Sequence, residues 1–356
     1  MLKPNPLKVG DTIGVVAPSN AVNVPDVMLS ADVIKKWGVK LRFGQHVSKQ
    51  IAGFSAGTAQ ERISDLQEML YDDKVTAIWA IDGGYAATQI MPMFSKETIA
   101  LMRKRPKLFI GYSDVCLLLN ALFGFGLTSI MGPNVWGFCD WDKLTQTFTR
   151  QLLFGESIHT LPPGTQWHVG VPGEAEGRLL ASNLDSLMFS LGTWFDPLLA
   201  DDFDLILAIE DLDVEKNLLQ RQIDSLFNHK NARRIKGLIV GRYINVSEKT
   251  YRAWGKTTSV QSLIADRARA FGIPVAFCKD FGHPEWEYPP FIKIKKLFAN
   301  RRFFALPNGV RSQLNVTEDN CFLHFLEGVT APVASNHVVI SSDNNVQGSI
   351  QQRDRD

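Results

Sequence analysis

Hydrophobic and polar positions fall into two repeating patterns along the first third of the chain. Short apolar runs at Thr12–Ala17 and Leu108–Ile110 read as buried strands, and Val39–Phe43, Val75–Ile81 and Leu127–Pro133 read as further strands. Between them, apolar residues recur at helical spacing. Val27, Leu29, Val33 and Ile34 mark a helix over Asp26–Lys36, and Ile63, Leu66, Met69 and Leu70 mark one over Thr58–Tyr71. A helix of unknown bounds is expected before Leu108, and another over Val115–Leu122. Strands alternating with helices predict an α/β fold whose parallel sheet carries helices on both faces.

From Trp136 to Gly173 the periodicity weakens and aromatic, Gly and Pro residues accumulate, which reads as a crossover or linker. A second region follows. Strands are expected at Gly177–Leu180, Leu205–Ile209, Gly237–Tyr243 and Ile273–Cys278, and helices at Ala181–Leu191, Asn217–Asn228 and Val260–Phe271. Ile292–Phe298, Phe303–Leu306 and Cys321–Phe325 suggest terminal strands, with turns at Asn300 and Pro307-Asn308-Gly309. From Ala331 the chain is polar and aperiodic, which predicts a disordered or loosely attached end. The expected division is an N-terminal domain over 1–135, a crossover over 136–173, a second domain over 174–330 and a polar tail over 331–356. No internal repeat is visible.

Composition narrows the function classes. The 356 residues carry a formal net charge of +1, so no basic excess points to nucleic acid or an anionic membrane. Four cysteines are scattered without a Cys-x-x-Cys pair, which argues for reduced residues rather than a disulfide framework or a zinc site. Residues 1–10 lack the apolar core of a secretory signal, and no apolar run is long enough to span a bilayer. A soluble cytoplasmic protein is the expectation.

Candidate chemistry gathers at three places. The strand ending at Ile110 runs through Gly111-Tyr112-Ser113-Asp114 into a helix. A serine at such a turn has its hydroxyl clear of the backbone and helix-opening amides beside it, as a nucleophile needs. The competing reading is a helix cap by Ser113 or Asp114. Glu210 ends the apolar run Leu205–Ile209, and His283 follows the Ile273–Cys278 strand in Lys279-Asp-Phe-Gly-His283. Serine, acid and histidine supply nucleophile, orienting carboxylate and general base. Each has a plainer alternative. Glu210 could pair with Arg221, Asp211 and Asp213 compete for the orienting role, and His283 could bond a backbone carbonyl. Gly83-Gly84 is either a tight turn or an approach of backbone amides to a substrate carbonyl.

Taken together and in order, these motifs resemble the LD-carboxypeptidase family of serine peptidases, which includes muramoyltetrapeptide carboxypeptidases and microcin C immunity hydrolases. The similarity runs from about Lys8 to Glu327. It rests on Gly10-Asp-Thr-Ile-Gly-Val-Val-Ala-Pro-Ser19, Ile81-Asp-Gly-Gly-Tyr85, Ile110-Gly-Tyr-Ser-Asp114, Glu176-Gly-Arg-Leu-Leu-Ala-Ser-Asn-Leu184, Ile209-Glu-Asp211 and Phe281-Gly-His283. The resemblance implies an N-terminal Rossmann-like parallel-sheet domain and a smaller C-terminal β-rich α/β domain. It implies Ser113 as nucleophile, Glu210 as acid, His283 as base, and the amides of Gly84 and Asp114 as oxyanion hole. It further implies a homodimer that needs no metal or other cofactor. The substrate implied is a small peptide, a murein tetrapeptide that loses its terminal D-alanine, or an aminoacyl-nucleotide amide.

This sequence departs from the family pattern at three points. Ala181-Ser182 replace a glycine pair, Val214-Glu-Lys-Asn217 lacks a proline-rich loop, and Tyr288-Pro-Pro-Phe-Ile292 lacks a glycine. The aromatics of Trp136–Trp141 and Trp286–Tyr288 could shape a distinct pocket, and Arg178 and Arg221 are candidates by position for binding a substrate carboxylate. A non-catalytic binding module on the same fold is the alternative from another class. A dinucleotide-dependent oxidoreductase is disfavoured because no Gly-x-Gly-x-x-Gly turn follows the first strand.

Overall fold

The computed structural model describes residues 1–200, 203–248, 258–284 and 302–332. The chain opens with strand β1 (Thr12–Val16), helix α1 (Val24–Lys35), β2 (Lys40–Phe43), a small hairpin of β3 (Gln50–Ile51) and β4 (Ser55–Ala56), α2 (Ala59–Tyr71) and β5 (Val75–Ala80). Next come α3 (Lys96–Lys104), β6 (Leu108–Gly111), α4 (Cys116–Gly124) and β7 (Ser129–Met131). These strands form a sheet in the order β7-β6-β5-β1-β2, all parallel. Helix α2 starts where Thr58 and Glu61 close a reciprocal capping box. The chain leaves β1 for β2 on one side and returns to β5 on the other, so a crevice opens at the carboxyl ends of β1 and β5, where ligands bind in such sheets.

The stretch read from sequence as a bare crossover carries structure of its own: α5 (Lys143–Leu153) and β8 (Trp167–Val171). Helix α5 is capped by Asp142 and buries Phe148, Leu152 and Leu153. The second sheet is built from β8, β9 (Gly173–Asn183), α6 (Leu184–Ser190), β10 (Leu205–Leu212), α7 (Lys216–Phe227), β11 (Ile235–Ile244), α8 (Val260–Ala270) and β12 (Val275–Cys278). After β13 (Leu306–Asn308) it gains the hairpin of β14 (Arg311–Val316) and β15 (Cys321–Phe325). Its order is β15-β14-β9-β10-β11-β12-β8, with β9 to β12 parallel and the flanking pairs antiparallel. Strand β13 pairs antiparallel with β7 at the edge of the first sheet, while its Asn308 side chain still bonds Ala181 of β9.

Strand β10, at the centre of the second sheet, is buried on both faces, which explains its unbroken apolar run, whereas β14 and β15 alternate buried and exposed positions. Along β10, Leu205, Leu207 and Ile209 pack into a cluster with Leu219, Ile223 and Leu226 of α7 and Ile264 of α8. Ile206 and Ala208 face the other way, into a core continuous with that of the first sheet. This period of two leaves Glu210 and Asp211 at the end of the same strand facing opposite sides.

Several expectations shift. Ala181–Asn183 continue β9 rather than open a helix, and α6 begins only at Leu184. Leu127–Pro133 narrows to Ser129–Met131, and Pro307-Asn308 lie in β13, leaving Gly309 (φ +84°) to make the turn. The expected Ile292–Phe298 strand, the Asn300 turn, Trp286–Tyr288, Tyr288-Pro-Pro-Phe-Ile292 and residues 333–356 of the tail lie outside the described residues. Among the described residues no helix is long and apolar enough to cross a membrane.

Candidate active site

Ser113 follows β6 directly. Tyr112 is extended, and Ser113 then takes φ +66°, a left-handed conformation costly for a residue with a Cβ, as it opens a 3-10 turn over Ser113–Val115. Such stored strain concentrates at functional positions. The cap reading fails for both candidates. No side-chain cap closes the 3-10 turn or α4, and the Asp114 carboxylate is used elsewhere. It accepts hydrogen bonds from Ser19 Oγ (2.5 Å) and Ala87 N (2.8 Å). Burial raises its pKa, opposed by these same bonds. Asp114 therefore ties the turn after β1 and the turn after β5 to the serine.

The glycine turn is shaped by its neighbours. A Cβ on Gly83 would lie 2.6 Å from Ser113 Cβ and 2.8 Å from Ser113 Oγ. Gly84 has φ +132°, and a Cβ there would overlap the Asn20 carboxamide at 2.0 Å. Asn20 N donates to Gly83 O at 3.0 Å, which holds the turn against the end of β1. Both glycines are required by close approach, and Gly84 by its φ as well.

Glu210 and His283 are brought into contact. A single carboxylate oxygen, Glu210 Oε2, accepts from His283 N at 2.9 Å and lies 2.6 Å from His283 Nδ1. Both side chains are buried, at 0% and 5% exposure. This double grip fixes the ring and its tautomer, with the proton on Nδ1 and Nε2 left as the basic nitrogen. Gly282 (φ +97°) makes the approach possible, since a Cβ there would sit 2.6 Å from Glu210 Cβ. Arg242 stands behind, its guanidinium donating to the carbonyls of Gly282 and Arg302. Burial depresses its pKa, with Glu210 the largest opposing influence.

Two links join the serine to this pair. The Tyr112 ring packs against the His283 ring at 4.9 Å between centroids, and against Phe303 at 5.0 Å. On the other side, Asn183 Nδ2 donates to Glu210 Oε1 (3.3 Å), Asn183 Oδ1 accepts from Ser186 N and Oγ, and Ser186 Oγ reaches Ser113 O at 3.2 Å. Asn183 ends β9, Glu210 lies near the end of β10 and His283 follows β12, so the second sheet also presents its carboxyl ends to the site. No hydrogen bond joins Ser113 Oγ to His283 among the described residues.

Other candidates resolve differently. Arg178 pairs with Leu205 at the far end of β10 and is spent on Gly309 O (2.7 Å) and Glu327 (3.0 Å), so it does not serve the site. Arg221 is exposed on α7 and does not pair with Glu210. Asp213 bonds Asn245, away from His283. Of the aromatics, Trp141 packs on Phe303, while Trp136 is 40% exposed. Sequence reasoning missed Asn183 and Ser186 as links, Arg242 as support and Ser19 as the partner of Asp114. The motif around Asn183 was visible, but its bonding was not. Among the described residues no group of three or more His, Cys, Asp or Glu side chains is placed to hold a metal ion.

Residues 13–132 match the LD-carboxypeptidase N-terminal domain and residues 176–293 the LD-carboxypeptidase C-terminal domain. The chain belongs to the LD-carboxypeptidase family and is a hydrolase of the serine-peptidase type. Slr1534 of Synechocystis sp., which carries a carboxypeptidase name, is 31% identical over 284 residues, covering 79% of this chain and 89% of that protein. The murein tetrapeptide carboxypeptidase of Pseudomonas aeruginosa is 25% identical over 280 residues, covering 76% and 87%. An MccF-like protein from Bacillus anthracis shares the fold at TM-score 0.75 and 23% identity, over 92% of this chain and 99% of that one.

Proposed function

We propose that this protein is an LD-carboxypeptidase that removes the terminal D-alanine from murein tetrapeptides. The observation that carries the reading is the doubly held Glu210–His283 pair at the carboxyl ends of one sheet, its histidine ring packed against Tyr112, the neighbour of a serine strained into a left-handed turn at the carboxyl end of the other. Ser113 Oγ attacks the amide carbonyl while His283 Nε2 takes the hydroxyl proton. The resulting oxyanion is held by the amides of Gly84 and Asp114, neither of which donates a hydrogen bond among the described residues. Collapse breaks the C–N bond, and His283 gives its proton to the departing amine. Water, deprotonated by His283, then attacks the Ser113 ester, releasing the shortened peptide and returning the proton to the serine. Glu210 stabilises the imidazolium formed at each step. The carboxypeptidase relatives support the peptide substrate; an MccF-like site would take an aminoacyl-nucleotide amide instead.

Mass spectrometry of wild type and Ser113→Ala incubated with a murein tetrapeptide ending in D-alanine tests the proposal. Loss of one alanine with wild type alone is the expected result. A folded wild type that leaves the tetrapeptide intact but cleaves an aminoacyl sulfamoyl nucleotide would overturn the substrate assignment and keep the chemistry.

A further inference from the structure

Arg62, on α2, is a buried cation for which the reaction above has no use; it is 1% exposed. Its guanidinium reaches three neutral acceptors. Nη1 donates to Gly57 O at 2.7 Å, and Nη2 donates to Ala86 O at 3.2 Å and to Gln89 Oε1 at 2.7 Å. Nε has no partner among the described residues. Asp114, the neighbour of the nucleophile, is the carboxylate whose charge acts on it. Burying a full charge among neutral groups is costly, and an apolar side chain would fill the same volume without that cost. What an apolar side chain lacks is the planar fork, which fixes several acceptors in one geometry.

Two of these acceptors belong to the segment that continues the glycine turn. Ala86 lies two residues after Gly84, and Gln89 ends the 3-10 turn over Ala87–Gln89. Ala86 is held at both of its polar atoms. Its N donates to Ser19 Oγ at 3.0 Å, and its carbonyl accepts from Arg62 and from Gln89 N (3.1 Å). Tyr85 N donates to Asn20 Oδ1 at 3.3 Å and Ala87 N to Asp114 Oδ2 at 2.8 Å. From Tyr85 to Ala87 each N–H is therefore spent inside the protein, and the Gly84 N–H just before them is left for a substrate oxygen. Ser19, Asn20 and Asp114 grip the amides of this segment, and Arg62 grips its carbonyl.

We propose that Arg62, braced by Gln89, is a positioning residue for the oxyanion hole: it fixes the Ala86 carbonyl, and with it the turn that presents the Gly84 N–H to the developing oxyanion. Arg62 acts through the turn and not on the substrate. A turn released from it still admits the substrate but holds the transition state less well, so the loss falls on the rate of the chemical step and not on affinity. The inference rests on the assignment of Gly84 as an oxyanion donor to Ser113 chemistry, and not on which amide is cleaved.

The test is the saturation kinetics of labelling by a serine-directed fluorophosphonate, whose phosphoryl oxygen needs the same hole, in wild type, Arg62→Met and Arg62→Lys, beside a urea denaturation curve of each. Arg62→Met keeps the length without charge or fork; Arg62→Lys keeps the charge and one donor to Ala86 O. The expected result is a maximal labelling rate at Ser113 lowered by about 100-fold in Arg62→Met, part of it recovered in Arg62→Lys, with the half-saturating probe concentration unchanged. A merely structural arginine would lower the urea midpoint and leave the folded enzyme labelling at the wild-type rate. That result, or a loss confined to the half-saturating concentration, would overturn the proposal. If both variants fail to fold, Gln89→Ala decides, because Gln89 is exposed and its loss frees one arm of the guanidinium. A maximal rate several-fold lower at an unchanged urea midpoint supports the proposal, and the wild-type rate refutes it. Wild type left unlabelled would bring down the nucleophile assignment and this inference with it, whereas wild type labelled at Ser113 with a folded Arg62→Met equally fast would refute the inference alone.

Discussion

Gly83→Ala isolates the steric fit between the glycine turn and the nucleophile. The backbone at Gly83 lies outside the left-handed region, so alanine carries no conformational penalty there. Its methyl group, however, would stand 2.6 Å from Ser113 Cβ and 2.8 Å from Ser113 Oγ. Carbon atoms settle at about 3.5–4.0 Å, so the serine or the turn must retreat by about 1 Å. Overpacking on this scale costs about 1–3 kcal/mol of stability. A 1 Å misplacement of a reacting atom costs on the order of 100-fold in rate. The assay is kcat/KM on the tetrapeptide beside a urea denaturation curve, with Gly124→Ala as control. A Cβ at Gly124 meets nothing nearer than Phe195 O at 3.6 Å, an ordinary contact. A folded Gly83→Ala enzyme that turns over at the rate of the control would refute the placement of Ser113 against this turn.

Two further outcomes follow from the acid pair. Glu210→Gln removes the charge that holds His283 Nδ1 and is expected to lower kcat/KM by roughly 1000-fold, while Asp211→Asn lowers it far less; equal losses would undo the division of roles. Stability should also depend on pH through Asp211. Its carboxyl is raised to about 7 in the folded protein against an ordinary 3.8, so between those values the folded state binds more protons than the unfolded. Stability from this group is full below about pH 4, falls as pH rises towards 7, and is gone above, over a span of about 4 kcal/mol. Urea midpoints at pH 5 and pH 8 check it: the drop should be smaller in Asp211→Asn than in wild type, and equal drops would contradict it.

How far the sequence could be read depended on whether a feature was local. The inner strands of the first sheet were legible because burial on both faces leaves apolar runs, and Ser113 was legible because a strand, a glycine and a helix are adjacent there. Helix α5 was obscured by the Trp, Gly and Pro residues around it, although Phe148 and Leu152 repeat at helical spacing. Strand β9 was cut short because Ala181 and Ser182 have no strand preference of their own; their place is set by β10, and by Asn308, which brackets Ala181 through both its N–H and its carbonyl. β13 could not be assigned to the first sheet, since its partner β7 lies far earlier in the chain. For the site, motif order brought out Ser113, Glu210 and His283. The Asn183–Ser186 link, the Asp114–Ser19 tie and the support from Arg242 are long-range contacts that no spacing records. The Arg178 candidacy failed for the same reason: its partner, Glu327, comes from the end of the β14–β15 region.

The central claim is that Ser113 is a nucleophile activated by His283. Intact-protein and peptide mass spectrometry after treatment with a serine-directed fluorophosphonate tests it most directly, in wild type, Ser113→Ala and His283→Gln. The account predicts one adduct, on the peptide containing Ser113, absent from Ser113→Ala and formed far more slowly in His283→Gln. An adduct on another residue, or labelling of Ser113 at an unchanged rate without His283, would contradict it.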